Sequence, residues 1–145
     1  MALGFQAMQA AEPAQLLGDF GRGQIIIETS QQRCIVSDVY VVDTPLRRRN
    51  GLMFVESMEP YEGMLFIYPQ AADISMWMKN TLIPLDMLFF NTDLRIHHVH
   101  RNAVPLSEAI ISSNGQALGV IELNGGAAEH FGILPGDRII VLAAE

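Results

Sequence analysis

No stretch of this chain keeps one hydrophobic rhythm for long. Short apolar runs, many of them β-branched, are cut at close intervals by proline or glycine. Seven prolines and twelve glycines are spread through 145 residues. Proline lacks the N–H that a helix interior or a sheet ladder needs, and glycine supplies turn conformations. The pattern therefore favours short strands joined by turns over long helices. Half of the residues are hydrophobic and only 17% are charged, which is ample for a core and unlike a disordered chain.

Read in order, Gln24–Thr29 holds three consecutive isoleucines and predicts a strand buried on both faces. Cys34–Val42 predicts a second strand. Thr44 as cap and Pro45 at the first helical position open a helix over Pro45–Phe54, with Asn50-Gly51 a weak spot near its end. Strands follow at Met64–Tyr68, ended by Pro69, and at Ile74–Met78, Leu85–Phe90 and Leu94–His100. Arg101–Gly115 reads as an exposed excursion. Ala117–Leu123 is a strand, Gly126–Phe131 a short helix closed by Gly132, and Arg138–Leu142 a final strand. The list of roughly eight short strands and two or three short helices has no βαβ rhythm. The expected fold is mainly β: a single-domain β-sandwich, jelly-roll-like or partly closed barrel. Residues 24–145 would form it, behind an N-terminal arm over 1–23 that includes a helical turn at Glu12–Gly18.

The formal charge is −7 and the pI about 4.9, which argues against a nucleic-acid partner, since a polyanion needs a basic face. The one basic cluster, Arg47-Arg48-Arg49, reads as the solvated side of the helix. No apolar run approaches the ~18 residues of a membrane span. The first eleven residues, MALGFQAMQAA, are uncharged and rich in small and apolar types, as in the tail of a secretory signal. The expected location is periplasmic or secreted, with a cytoplasmic protein as the alternative. Cys34 is the only cysteine, so it forms no intramolecular disulfide, and a buried, inert thiol is expected.

The densest chemistry lies in Trp77–Asp86, WMKNTLIPLD. Period-two alternation puts Ser75, Trp77 and Lys79 on one face, with Met76, Met78 and Asn80 on the other. Lys79, Asn80 and Thr81 fall where strand gives way to loop, and Asp86 starts the next strand, placed to pair with Lys79. An aromatic platform, an ammonium, an amide, a hydroxyl and a carboxylate are the groups that hold a polar ligand. The competing reading is that they satisfy the backbone of an unusual β connection. His98 and His100 share a strand face in a His-x-His pattern, which a carboxylate from Asp86 or Glu122 would complete as a metal site.

The order Gly51-Leu52-Met53-Phe54, Glu62-Gly63-Met64-Leu65-Phe66 and Trp77–Asp86, then Val120–Gly126 and Gly132–Asp137, resembles the prokaryotic domain-of-unknown-function family 192. The resemblance runs from about Gln24 to Leu142. It implies a β-sandwich or jelly-roll-like fold and frequent export, and it brings no established activity. The family often has arginine immediately before Gly-Leu-Met; here Asn50 stands there, with Arg49 one residue earlier. For acid–base work, Glu62, Asp86 and Glu122 are the carboxylates that fall within the motifs carrying the family resemblance.

The leading expectation is an exported, soluble domain that binds a small polar ligand or a short peptide. The surface would comprise Trp77, Lys79, Asn80, Thr81 and Asp86, with Glu62 and Glu122. A metal-assisted or hydrolytic enzyme using Asp86, Glu122, His98 and His100 is the alternative. A structural or partner-binding module built on the Arg101–Gly115 excursion is a third reading. No cofactor is implied.

Overall fold

A computed structural model describes residues 17–142. Seven strands form one sheet: β1 Gly21–Glu28, β2 Cys34–Val42, β3 Glu62–Met76, β4 Leu85–Phe90, β5 Ile96–Ala103, β6 Ile111–Asn124 and β7 Arg138–Val141. Two short helices, α1 Pro45–Asn50 and α2 Ala127–Phe131, accompany it among the described residues. The strand order is β5-β4-β6-β3-β2-β1-β7. The sheet curls until its two edges meet at one end. There Arg95 bridges Arg138, Ile96 N–H donates to the Asp137 carbonyl at 2.9 Å, and Ile139 N–H donates to the Leu94 carbonyl at 2.8 Å. The result is the partly closed barrel expected, and the closure shields edge groups that would otherwise stay unpaired. The helical turn expected at Glu12–Gly18 lies largely outside the described residues. Among those described, no helix is long and apolar enough to cross a membrane.

Alternation divides the side chains between two apolar layers. The inner layer draws on every strand and includes Ile25, Ile27, Val39, Leu65, Leu88, Phe90, Ile96, Ile121 and Ile139, with Ala127, Ala128 and Ile133 packed among them. The outer layer covers the central strands with Tyr40, Val42, Met64, Phe66, Met87, Phe89 and Val120, over which Leu52, Val55 and Met78 fold. The isoleucine run of β1 is thus buried chiefly on one face: Ile25 and Ile27 are inside, and Ile26 is only half-buried.

Several expectations are corrected. β2 and β3 run parallel, Asp38 opposite Glu62 and Val42 opposite Phe66, so the chain does contain one strand–helix–strand crossover through α1. That helix stops at Asn50 rather than Phe54. Gly51 adopts φ +46° and donates its N–H to the Arg47 carbonyl at 2.8 Å. Met64–Tyr68 and Ile74–Met78 belong to one strand, β3, which ends at Met76. Its pairing with β6 slips between Ile67 and Ala72, and Pro69 lies in that irregular stretch, where its missing N–H costs no ladder bond. The Arg101–Gly115 excursion shrinks to a seven-residue connection between β5 and β6, because Ser113 is buried there as a structural group. Its hydroxyl accepts from Ile74 N–H at 2.9 Å and donates to the Gly115 carbonyl at 2.6 Å. Cys34, at the start of β2, is exposed rather than buried.

Candidate functional site

Glu122 lies on the outer face of β6. Met87 of β4 is its register partner on one side and Met64 of β3 on the other, and both methionines are fully buried. The residue itself is 4% exposed, and its Oε2 has no hydrogen-bond partner among the described residues. Burial among these apolar neighbours pushes its carboxyl up to about 8, so it keeps a proton at neutral pH. A protonated carboxyl both donates and accepts, and a buried orphan of this kind is costly unless something fills its bonding capacity.

The carboxyl lines an open cavity of about 340 Å³. One wall comes from α1. The Thr44 side chain caps the helix by accepting from Arg47 N–H at 3.3 Å, and Pro45 sets the first turn. Arg48 and Arg49 then fall in the last turn, beside the cavity. Nη1 of Arg48 donates to the carbonyls of Asp43 and Ile67, both at 3.0 Å, and the guanidinium lies 4.8 Å from the centroid of the Tyr68 ring. Arg49 is exposed and has no ion-pair partner among the described residues. Tyr68 is half-buried; desolvation raises its pKa, Arg48 pulls it back and Glu122 raises it further.

The opposite wall is the end of β3 and the loop after it. Ser75, Trp77 and Lys79 all line the cavity, but so does Met76, which alternation puts on the other face, while Met78 is fully buried. Trp77 is 38% exposed. Lys79 Nζ lies 5.1 Å from the Trp77 ring centroid and 3.8 Å from Glu108 Oε1. Thr81 also lines the cavity; its hydroxyl donates to the Lys79 carbonyl at 3.3 Å. Asn80 stands behind this wall in a left-handed conformation, φ +54°. Its carbonyl accepts from Phe54 N–H at 2.9 Å, which ties the loop to the segment after α1.

The structure therefore gathers Trp77, Lys79, Thr81 and Glu122 at one place and separates the others. Asp86 does not pair with Lys79. It points to the opposite face of the sheet and is wholly buried, with Oδ1 accepting from Asn102 N–H and Oδ2 from Ala128 N–H, both at 2.8 Å. Glu62 sits at the start of β3, outside the cavity, where it accepts from Glu59 N–H at 3.1 Å and lies 3.8 Å from Arg22. His98 and His100 are register partners of Phe89 and Met87, and buried Met87 separates His100 from Glu122. His98 stacks on Phe89 and contacts Asn114 at 3.3 Å. Its pKa is lowered by burial and by the neighbouring His100 and His97. Among the described residues no three His, Cys, Asp or Glu side chains come close enough to hold a metal ion.

Sequence reasoning missed Arg48, Arg49, Asn50 and Tyr68 as cavity residues. The family-like position before Gly51-Leu52-Met53 was the one available signal, since both Arg49 and Asn50 line the cavity there.

Residues 25–141 match the domain-of-unknown-function family 192, described as "Uncharacterized ACR". Among solved structures, a "putative transcription regulator" from Sinorhizobium meliloti 1021 is 40% identical. The match covers 84% of this chain and 95% of that one, with a TM-score of 0.83. A protein of unknown function from Novosphingobium aromaticivorans DSM 12444 is 31% identical over 93% of this chain and 94% of its own, also with a TM-score of 0.83. No curated protein matches the chain. With the family pattern spanning nearly all of the barrel, this chain belongs to domain-of-unknown-function family 192.

Proposed function

We propose that the protein is a binding domain that holds one small polar molecule in the cavity over Glu122. The observation that carries this reading is the carboxyl itself: it is protonated at neutral pH, it lines a cavity open to solvent, and its buried Oε2 has no partner among the described residues. A purely structural carboxyl in such a place would be satisfied by the protein, as Asp86 is. The cavity is at the lower end of the usual size for small-molecule sites and mixes aromatic, hydroxyl and charged groups. Trp77, Lys79, Thr81 and Glu122 remain in the proposed site, joined by Arg48, Arg49 and Tyr68. Asp86 and Asn80 serve the scaffold beneath it.

Trp77 is the only tryptophan, so its fluorescence reports on this cavity alone. A screen of small polar molecules should produce a saturable change in Trp77 emission that Glu122→Ala weakens. A broad screen in which nothing alters that emission would remove the reading.

The name carried by the Sinorhizobium protein raises a DNA-binding alternative. Formal charge −7 and helices of six and five residues among those described speak against it, because a recognition helix must reach into a groove past a polyanionic backbone. Export to the cell envelope, drawn from the apolar first eleven residues, is part of the proposal, and cell fractionation tests it.

A further inference from the structure

Resting on that binding reading, we infer that the ligand is a polyhydroxylated ring bearing a single anionic group, such as a sugar acid or a sugar phosphate. Charge is the first argument. Among the described residues, three cationic side chains, Arg48, Arg49 and Lys79, border the cavity, and Glu122 is the only carboxyl in its lining. This local excess stands in a chain whose formal charge is −7. The three cations are not equally free. Lys79 already has Glu108 within 3.8 Å, and Nη1 of Arg48 is committed to two carbonyls. Arg49 has no ion-pair partner among the described residues, which leaves its planar fork open to a carboxylate or phosphate. The cations lie on the α1 and β3-loop walls, whereas Glu122 lies on the sheet between them, so an anion at the rim leaves the rest of the ligand over a neutral base.

The base sets the second condition. Glu122 presents its carboxyl to the cavity, and Ser75, Thr81, Tyr68 and Asn50 add neutral hydroxyl and amide groups to the lining. Such a set matches hydroxyls, which donate and accept in turn. Trp77, partly exposed at the wall, offers a flat apolar surface for the carbon face of a ring. The volume of about 340 Å³ fits one ring rather than an extended chain.

The test is titration of Trp77 emission with glucuronate, galacturonate and glucose 6-phosphate, against glucose, acetate and inorganic phosphate. It is run on the parent protein and on Arg49→Ala, whose side chain is exposed and whose loss leaves the core intact. The expected result is that at least one anionic sugar binds about tenfold or more tightly than glucose and than either simple anion. Arg49→Ala should weaken that anionic sugar by about tenfold or more, as the loss of one charge-assisted contact does, and leave glucose unchanged. A preference for carboxylate or for phosphate among the ring ligands then identifies the source of the anion. Equal binding of glucose, equal binding of acetate or phosphate, or indifference to Arg49→Ala overturns the inference. If no anionic sugar binds but other molecules of the broad screen change Trp77 emission, the inference falls and the binding reading stands. If nothing does, both fall.

Discussion

Asp86 and Glu122 lie on adjacent strands, one register step apart, with their carboxyls on opposite faces of the sheet. Glu122 pairs in register with Met87, and Asp86 with Leu123. Both are buried, yet each oxygen of Asp86 takes a backbone N–H, while Oε2 of Glu122 takes none. The first is a brace between β4, the end of β5 and the start of α2. The second is the base of a cavity.

Asp86→Ala should therefore damage the fold rather than the site. It leaves the N–H groups of Asn102 and Ala128 without their acceptors, at roughly 1–3 kcal/mol for each buried donor. Urea denaturation should show a loss of about 2–5 kcal/mol relative to the parent. A loss below about 0.5 kcal/mol, the range of an ordinary surface change, would contradict the bracing role.

Glu122→Gln should change how stability depends on pH. The folded-state pKa, about 8, is above the ordinary value of 4.5 because burial disfavours the charged form. Between these values the unfolded chain has released its proton while the folded chain retains it, so stability falls as pH rises, by up to about 1.4 kcal/mol per pH unit. This contribution is fully present below pH 4.5 and is lost as pH climbs through 8. In Glu122→Gln the slope disappears, so the variant should melt closer to the parent near pH 4 and above it near pH 8. Parallel melting curves for the two proteins across pH 5–8 would refute the assignment.

The parts of this fold that were legible in the sequence are those governed by local alternation. β2 and β4 have the bounds expected, and Ser75, Trp77 and Lys79 do share the cavity wall, although Met76, which alternation puts on the other face, lines it too. What escaped is set by contacts distant along the chain. The N–H donors to Asp86 lie 16 and 42 residues away, so a reading of neighbours turned naturally to Lys79 instead. Arg48 and Arg49 looked like a solvated helix face because a six-residue helix reveals nothing about the sheet it crosses. Only the parallel pairing of β2 with β3 brings that helix beside Glu122.

Lys79→Ala should cost little stability. Its ion pair with Glu108 spans 3.8 Å between side chains that are 44% and 65% exposed, a setting in which such pairs contribute about 0–1 kcal/mol. The ammonium also lies 5.1 Å from the Trp77 centroid, so its removal should shift Trp77 emission even without a ligand. A melting temperature close to the parent's together with altered emission is the expected pair of results. A loss of several kcal/mol would mean that Lys79 is a structural member of the β connection.

Gly119→Ala should be the most damaging single methyl group in the barrel. Gly119 lies in β6 opposite Phe90 of β4 and Ile67 of β3, and the Phe90 ring lies across it on the inner face. A Cβ at this position would collide with the Phe66 carbonyl oxygen and with the Phe90 ring, whose Cε1 would be 2.9 Å away. The ring cannot swing aside freely, because Phe90 is buried in the inner layer with Ile96 and Ile121. The carbonyl belongs to β3, on whose continuation Tyr68 forms part of the cavity. Relief must come from separating β3 and β6, the strands that carry Tyr68 and Glu122. Overpacking of this kind costs about 1–3 kcal/mol where side chains can adjust and more where backbone must move. The variant should therefore lose at least about 3 kcal/mol in urea, with increased amide exchange along the β3–β6 ladder. An alanine there that melts with the parent would mean that the two strands separate readily, and that the cavity over Glu122 is not held rigid from below.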